Sequence, residues 1–253
     1  MIENVINAIE VFSLIHRSDI GPAADAVVAG KITILKVGSI FSIVYNPLIS
    51  GLTEKICLLK ERRKEQYMSV VCTYEQAKQF VDRNRVNSDF YRLSATFCSK
   101  VIVRVPVDPT ITPPFAYNAD EGTVQFFTFE NRHPIRIAFQ EALAERGCEY
   151  LSITSGNISG APTIEDVESA KLLATVFNVK ASFLGMDKTQ TVVTDIPEDN
   201  GSHKGSFAIL SFCNKGAIEV NRLANKADRK VTETHLREIL AEVDTQTPLV
   251  YTV

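Results

Sequence analysis

The chain has 253 residues, a formal net charge of -3, 45% hydrophobic and 23% charged residues. This composition belongs to an ordinary soluble globular protein with no low-complexity tract or internal repeat, and it argues against disorder outside loops. The mild negative charge excludes a global attraction to nucleic acid or acidic membranes, so any polyanion site has to be a local basic cluster; "KERRK", from Lys60 to Lys64, is the densest one.

In chain order, Ile2, Val5, Ile6 and Ile9 recur at helical spacing, and a second helical stretch, "PAADAVVAG", ends at Gly30. The β-branched run "KITILKVGSIFSIVY", broken by Gly38, reads as two strands or one bent strand. A helix from about Leu52 to Lys60 precedes the short strand "MSVVC". Thr73 caps the helix "YEQAKQFV", with Gln76 completing a capping box. A helix at "SDFYRLSATF" leads to the strand "KVIVRVPV", and the proline-rich segment from Pro106 to Gly122 reads as a long loop.

After the strand "TVQFFTF", Pro134 opens and Gly147 stops a helix with Ile135, Ala138, Phe139, Ala142 and Leu143 on its apolar face. The strand "CEYLSIT" follows. Thr163 with Asp166 then caps a helix from about Ile164 to Phe177, and "ASFLG", "TQTVVTDI" and "GSFAILSF" read as strands around the polar loop "PEDNGSHKG". A last helix, "TETHLREILAEV", ends the pattern. Helices and strands mix without strict alternation, which predicts a mixed-sheet α/β fold. The expected organisation is one domain over 1–220 and a helical appendage, 221–253, on the same core.

Five cysteines, Cys57, Cys72, Cys98, Cys148 and Cys213, are odd in number, widely spaced and without a CxxC pair, as reduced core residues would be. No apolar run is long enough to span a bilayer and no basic leader precedes the first apolar residues, so the expected location is cytoplasmic, with no membrane partner. No GxSxG, P-loop, GxGxxG or HExxH pattern is present. The four histidines lack ligand spacing, and no metal-binding side chains are expected.

The densest chemistry lies in "TSGNISGAP", Thr154 to Pro162. In an extended segment Ser155, Asn157 and Ser159 would face one side, and their hydroxyls and amide, with backbone amides exposed by Gly156 and Gly160, suit an anionic oxygen such as phosphate. The same residues would also serve a strand-to-helix connection that satisfies its own backbone. Lys60 and Arg62 would diverge by about 200° on a continuous helix, so they can share a ligand only if the helix ends near Lys60. Alone, they also read as a solvated charge run at a helix end.

Taken in order, "LLKERRK", "TSGNISGAP", "QTVVTDI" and "FAILSFCNKGAIEV" resemble the YrdC family, whose KxR element follows a helix and whose TSxNxSG element follows a strand. The similarity runs from about Gly30 to Val220. It implies a twisted, mixed and largely antiparallel sheet flanked by helices, with a concave basic cavity. Catalytic members are threonylcarbamoyl-AMP synthases, which turn ATP, bicarbonate and threonine into threonylcarbamoyl-AMP and pyrophosphate for tRNA modification. The resemblance implies ATP or another nucleotide as partner, Mg²⁺ carried with it, Lys60 and Arg62 as catalytic and phosphate-binding residues, and Ser155, Asn157 and Ser159 as further phosphate contacts. Ser39 and Thr154 would border the substrate pocket.

That pocket has diverged. The family's Pro-Thr-Asp-Thr stretch is Lys36-Val37-Gly38-Ser39 here, its Pro-Gly-Pro is Cys98-Ser99-Lys100, its arginine before His-Pro is replaced within Phe126 to Phe129, and the arginine expected after "AIL" is Ser211. The alternative function is a non-catalytic module of the same fold that binds nucleotide or structured, double-stranded RNA through backbone phosphates. No DNA partner is expected.

Overall fold

The computed structural model describes residues 9–14, 16–62, 68–113, 118, 121–129, 134–185, 191–195, 207–222, 229–241 and 247–252. The chain divides into two compact units, Met1–Gln66 with His133–Gly205, and Tyr67–Arg132 with Ser206–Val253. In chain order the elements are β1 (Glu10–Ser13), α1 (Arg17–Val28), β2 (Ile32–Val37), β3 (Ile40–Tyr45), α2 (Leu52–Leu59), β4 (Ser69–Val71) and α3 (Tyr74–Phe80). A 3-10 helix (Ser88–Arg92), α4 (Ala95–Cys98), β5 (Ile102–Pro106), β6 (Thr123–Phe127), α5 (Pro134–Ala144), β7 (Leu151–Ser155) and α6 (Val167–Phe183) follow. Then come β8 (Thr191–Asp195), β9 (Ile209–Ser211), β10 (Ile218–Arg222), α7 (Arg229–Ala241) and β11 (Leu249–Tyr251).

In the first unit the strands lie in the order β1-β8-β2-β3-β7. β8 is parallel to both β1 and β2, whereas β3 is antiparallel to β2 and β7. Of the two readings of the Gly38 break the structure has two strands, β2 and β3, joined as a hairpin: Val37 pairs with Ile40, and Gly38 takes the positive φ, 65°, that a tight hairpin turn requires. Both strands are almost wholly buried, as their largely apolar runs lead one to expect. α1 buries Ile20, Ala23, Ala24 and Val27 and packs beside α5.

Four expectations in this unit change. The expected N-terminal helix lies mostly outside the described residues, and the segment after Ile9 is the strand β1, drawn into the sheet by its register with β8. α1 starts at Arg17, with Pro22 inside it; the Ser18 carbonyl that Pro22 cannot serve belongs to an exposed residue. "ASFLG" is not a strand, and Thr163 does not cap its helix. The Asp166 Oδ1 accepts from the Ser169 amide at 2.7 Å and starts α6, whose buried face, Ala170, Leu173, Ala174, Phe177 and Ala181, keeps its helical period through the β-branched residues to Phe183.

The second unit has the order β4-β6-β5-β9-β10-β11. β4–β6, β5–β9 and β10–β11 are parallel, and β5–β6 and β9–β10 antiparallel. Its core is an edge-to-face aromatic group in which Phe90 meets Tyr74, Phe126 and Phe212 at centroid distances of 5.6, 6.2 and 6.3 Å. The predicted capping box is present, with Thr73 Oγ1 accepting from the Gln76 amide at 3.1 Å and Gln76 Oε1 accepting from the Thr73 amide at 2.8 Å. "SDFYRLSATF" is two short helices rather than one: Leu93 is extended and Ser94 starts α4 by accepting from the Phe97 amide at 3.0 Å. Residues after 220 supply α7 and β11, and β11 pairs with β10.

All five cysteines are free, four buried and Cys213 half-buried. Among the described residues no helix is long and apolar enough to cross a membrane. The mixed sheet flanked by helices is the expected fold class. The "PEDNGSHKG" loop lies outside the described residues, as does most of the basic run after Arg62.

Candidate functional site

The geometry begins at the end of α2. Its last turn closes with the Glu61 amide donating to the Leu58 carbonyl at 3.2 Å and the Arg62 amide donating to the Cys57 carbonyl at 2.8 Å. This is a Schellman ending, in which the residue after the cap turns left-handed and the helix axis is abandoned. Glu61 is that residue, with φ 56°. The helix therefore stops at Leu59, which removes the divergence that a continuous helix would impose on Lys60 and Arg62.

Both side chains then reach the segment that follows β7. Lys60 Nζ donates to the Ser155 carbonyl, to the Asn157 carbonyl at 2.6 Å and to Asn157 Oδ1 at 3.4 Å. Arg62 Nη1 donates to Thr154 Oγ1 at 2.6 Å, and the Ser159 amide donates to the Lys60 carbonyl at 2.9 Å. Two segments more than ninety residues apart in the chain are thus tied by side chains and backbone together. Because the Asn157 carbonyl turns toward Lys60, the Ile158 N–H of the same trans peptide points the opposite way.

The loop is also fastened from its other side. Ser42 pairs with Ser155, the Gly156 amide donates to the Phe41 carbonyl at 2.9 Å, and the Phe41 amide donates to the Ile164 carbonyl at 2.7 Å. The fit admits only glycine: a Cβ on Gly156 would stand 2.5 Å from the Phe41 carbonyl oxygen. Ser155 Oγ donates to Asn157 Oδ1 at 2.6 Å, and Asn157 Nδ2 donates to the Ala161 carbonyl.

Lys60, Arg62, Thr154, Ser155, Asn157 and Ser159 therefore gather in one place. Ser39, half a hairpin away at the β2–β3 turn, is buried, and Thr154 is held by Arg62. Lys60 departs from the picture of a solvent-facing cation. It is 1% exposed, because the helix end and the loop close over its stem while carbonyl oxygens receive its ammonium. Nor do the three alternate residues present a uniform face: Ser155 and Asn157 are half-buried and bonded to each other, while Ser159 is exposed.

Burial lowers the Lys60 pKa to about 7, with the Arg62 charge acting in the same direction and Cys57 opposing. Arg62 is also shifted down, by burial first. Beneath them burial raises the Tyr45 hydroxyl, which the Thr53 and Ser152 hydroxyls and Arg62 partly offset. The site thus holds two cationic side chains at a desolvation cost, the Lys60 ammonium being kept only below about pH 7, and an anion beside them would relieve that cost. Among the described residues no group of three His, Cys, Asp or Glu side chains could hold a metal ion.

Sequence reasoning missed Glu61, Phe41, Ala161 and Lys180. Lys180 Nζ donates to the Leu59 carbonyl at 3.2 Å and to Glu61 Oε1 at 2.7 Å. The glycine at position 156 was the available signal for Phe41, since a glycine between two polar residues marks a close backbone approach.

No family model and no curated protein sequence matches the chain. Solved structures do. Sua5 of P. abyssi complexed with L-threonine aligns with a TM-score of 0.63 at 16% identity, over 94% of this chain and 62% of that one. E. coli YciO aligns with 0.63 at 15% identity, over 88% and 99%. Full-length HypF in its phosphate- and nucleotide-bound form aligns with 0.59 at 22% identity, over 81% of this chain and 29% of that one. The chain spans between 57% and 62% of the length of the Sua5 chains. At these identities the likeness is one of fold, and together with the mixed sheet it shows that this chain has the YrdC-like fold of Sua5 and YciO.

Proposed function

We propose that the chain binds a nucleotide through its phosphates at the loop 154–161, and that it is a diverged threonylcarbamoyl-AMP synthase. The observation that carries this reading is the convergence of Lys60 and Arg62 on Thr154, Ser155 and Asn157, with the cations desolvated. A fold neighbour bound to L-threonine and another bound to phosphate and nucleotide support the ligand class.

In this reading Arg62 offers a planar fork to phosphate oxygens, and Lys60 does two things. Its ammonium keeps the loop carbonyls turned inward, away from an incoming anion, and its charge lowers the energy of phosphate beside it. Ser155, Asn157 and Ser159 add hydroxyl and amide contacts. The carbamate oxygen of N-carboxythreonine attacks the α-phosphorus of ATP as the bond to pyrophosphate breaks, so no side-chain nucleophile is required and catalysis rests on orientation and charge neutralisation. Mg²⁺ would enter on the ATP phosphates. Ser39 and Thr154 would border the amino-acid pocket.

The test is pyrophosphate release by the purified protein with ATP, Mg²⁺, bicarbonate and threonine. Release that requires threonine supports the synthase, and ATP binding with no release under any amine supports the second reading. That second reading, a non-catalytic module for nucleotide or double-stranded RNA, is favoured by Ser211. Where the resemblance expects an arginine stands a buried serine whose Oγ accepts from the Cys213 amide at 3.3 Å, and a serine offers no fork to a substrate carboxylate.

A further inference from the structure

Four helices of the first unit end on a left-handed residue, and three of them use glycine there: Gly30 after α1, Gly147 after α5 and Gly185 after α6. The endings of α1 and α5 also match that of α2 bond for bond, the Lys31 amide reaching the Ala26 carbonyl and the Cys148 amide the Leu143 carbonyl, both at 2.9 Å. After α2 the position is Glu61, and among the described residues it is the non-glycine residue with positive φ. A β-carbon makes this conformation unfavourable, so the side chain has to return something that glycine cannot.

What it returns is a carboxylate for Lys180. The Lys180 ammonium spans the end of α2, donating to the Leu59 carbonyl at 3.2 Å and to Glu61 Oε1 at 2.7 Å. One cation thus satisfies an orphan carbonyl of the last turn and holds the side chain of the strained residue. Glu61 sits between Lys60, which reaches the Ser155 and Asn157 carbonyls, and Arg62, which reaches Thr154. Lys60 leaves from the right-handed end of the helix, with φ -79°, so the direction that depends on this turn is that of Arg62, which lies beyond it.

We propose that Lys180, through Glu61, is the positioning residue of the phosphate site: it locks the left-handed turn that carries Arg62 to the loop beside Lys60, and it neutralises the carboxylate that stands in the chain between the two site cations. Its functional consequence rests on the nucleotide reading given above. The ion pair is partly exposed, with side chains 27% and 65% accessible, so it adds little to global stability and acts on local geometry.

The experiment compares wild type with Lys180→Ala, Lys180→Arg and Glu61→Gly by two readouts. The first needs no ligand: amide hydrogen exchange at Glu61, Arg62 and Ser159, whose N–H groups are bonded to Leu58, Cys57 and Lys60 carbonyls. Lys180→Ala should exchange faster at these amides with the melting temperature nearly unchanged, and Lys180→Arg should restore protection. The second is calorimetric titration with ATP and Mg²⁺, where Lys180→Ala should bind about 3- to 10-fold more weakly, while Lys180→Arg, which keeps the pair, and Glu61→Gly, which takes the turn unaided and has no carboxylate to neutralise, should bind as wild type does.

Glu61→Gly tests the role from the other side, since glycine adopts the turn freely and makes Lys180 unnecessary there. Unchanged protection in Lys180→Ala overturns the lock whether or not nucleotide binds. Altered protection with unchanged affinity for ATP overturns the functional part. A wild type that binds no ATP refutes the nucleotide reading and with it the positioning role at that site, while the exchange data still decide the lock.

Discussion

Replacing Gly156 with alanine probes whether the loop is held as closely as its geometry implies. The added Cβ would lie 2.5 Å from the Phe41 carbonyl oxygen, 2.9 Å from its carbon and 3.3 Å from the Ser42 nitrogen, all backbone atoms of a buried strand that cannot swing aside. Relief requires the loop to move off β3, which overpacks or parts the contact at about 1–3 kcal/mol and weakens the hydrogen bond from the Gly156 amide to Phe41 for about 1 kcal/mol more. The total of roughly 2–4 kcal/mol corresponds to a fall in melting temperature of roughly 5–15 °C in a chain of this size.

Gly160→Ala is the matched control. Gly160 has φ 85°, but a methyl group added there would meet nothing within 4 Å, so only the conformational penalty of about 1 kcal/mol applies. Thermal unfolding followed by circular dichroism gives both numbers. If Gly156→Ala melts no lower than Gly160→Ala, the loop is not pinned to Phe41 and the site geometry built on that contact is wrong.

The remaining predictions concern charge and caps. Burial lowers the Lys60 pKa from 10.5 to about 7, so between those values the unfolded chain binds more protons than the folded one and stability rises with pH, by up to roughly 5 kcal/mol. Urea unfolding should show that this rise is lost in Lys60→Met. Cys148, pushed up to about 11 by burial, acts in the opposite direction between pH 9 and 11 and is common to both proteins, so the difference between them isolates Lys60. Nucleotide affinity, if the ammonium form is the one that serves phosphate, should be constant below about pH 7 and weaken above it, and a flat calorimetric profile from pH 6 to 9 would contradict that role. Thr73→Ala should cost about 1 kcal/mol through loss of the capping box, measured by urea unfolding, while leaving ATP affinity unchanged.

Much of this arrangement was legible in the sequence because it rests on local rules. The Gly38 break in a β-branched run marked a turn or bend between strands, Thr73 and Gln76 gave a cap, and short polar motifs in the right order gave the YrdC-like fold. Where local rules compete, reading failed. "ASFLG" has strand-forming residues, yet Ala181 completes the buried face of a long helix, and periodic burial outweighs propensity. Asp166 rather than Thr163 starts that helix, since either residue type can cap and only the backbone decides.

At the site, the requirement that α2 end near Lys60 could be stated in advance, but its cause could not. The left-handed turn falls on a glutamate, which carries no turn signature, and it is secured by Lys180, far along the chain. The burial of Lys60 was equally hidden. A lysine in a charge run reads as solvated, and only the return of the loop over it supplies the carbonyls that hold its ammonium.

The most direct test of the phosphate site is calorimetric titration of ATP with Mg²⁺ into wild type and into Arg62→Ala, each checked for an unchanged melting temperature. Arg62 donates to Thr154 Oγ1 and is half-buried, so its removal should spare the fold and take away the guanidinium alone. Wild type should bind saturably and the variant at least about tenfold more weakly, the loss expected for a charge-assisted contact. Equal affinity of two folded proteins, or no binding by wild type, would refute the phosphate site.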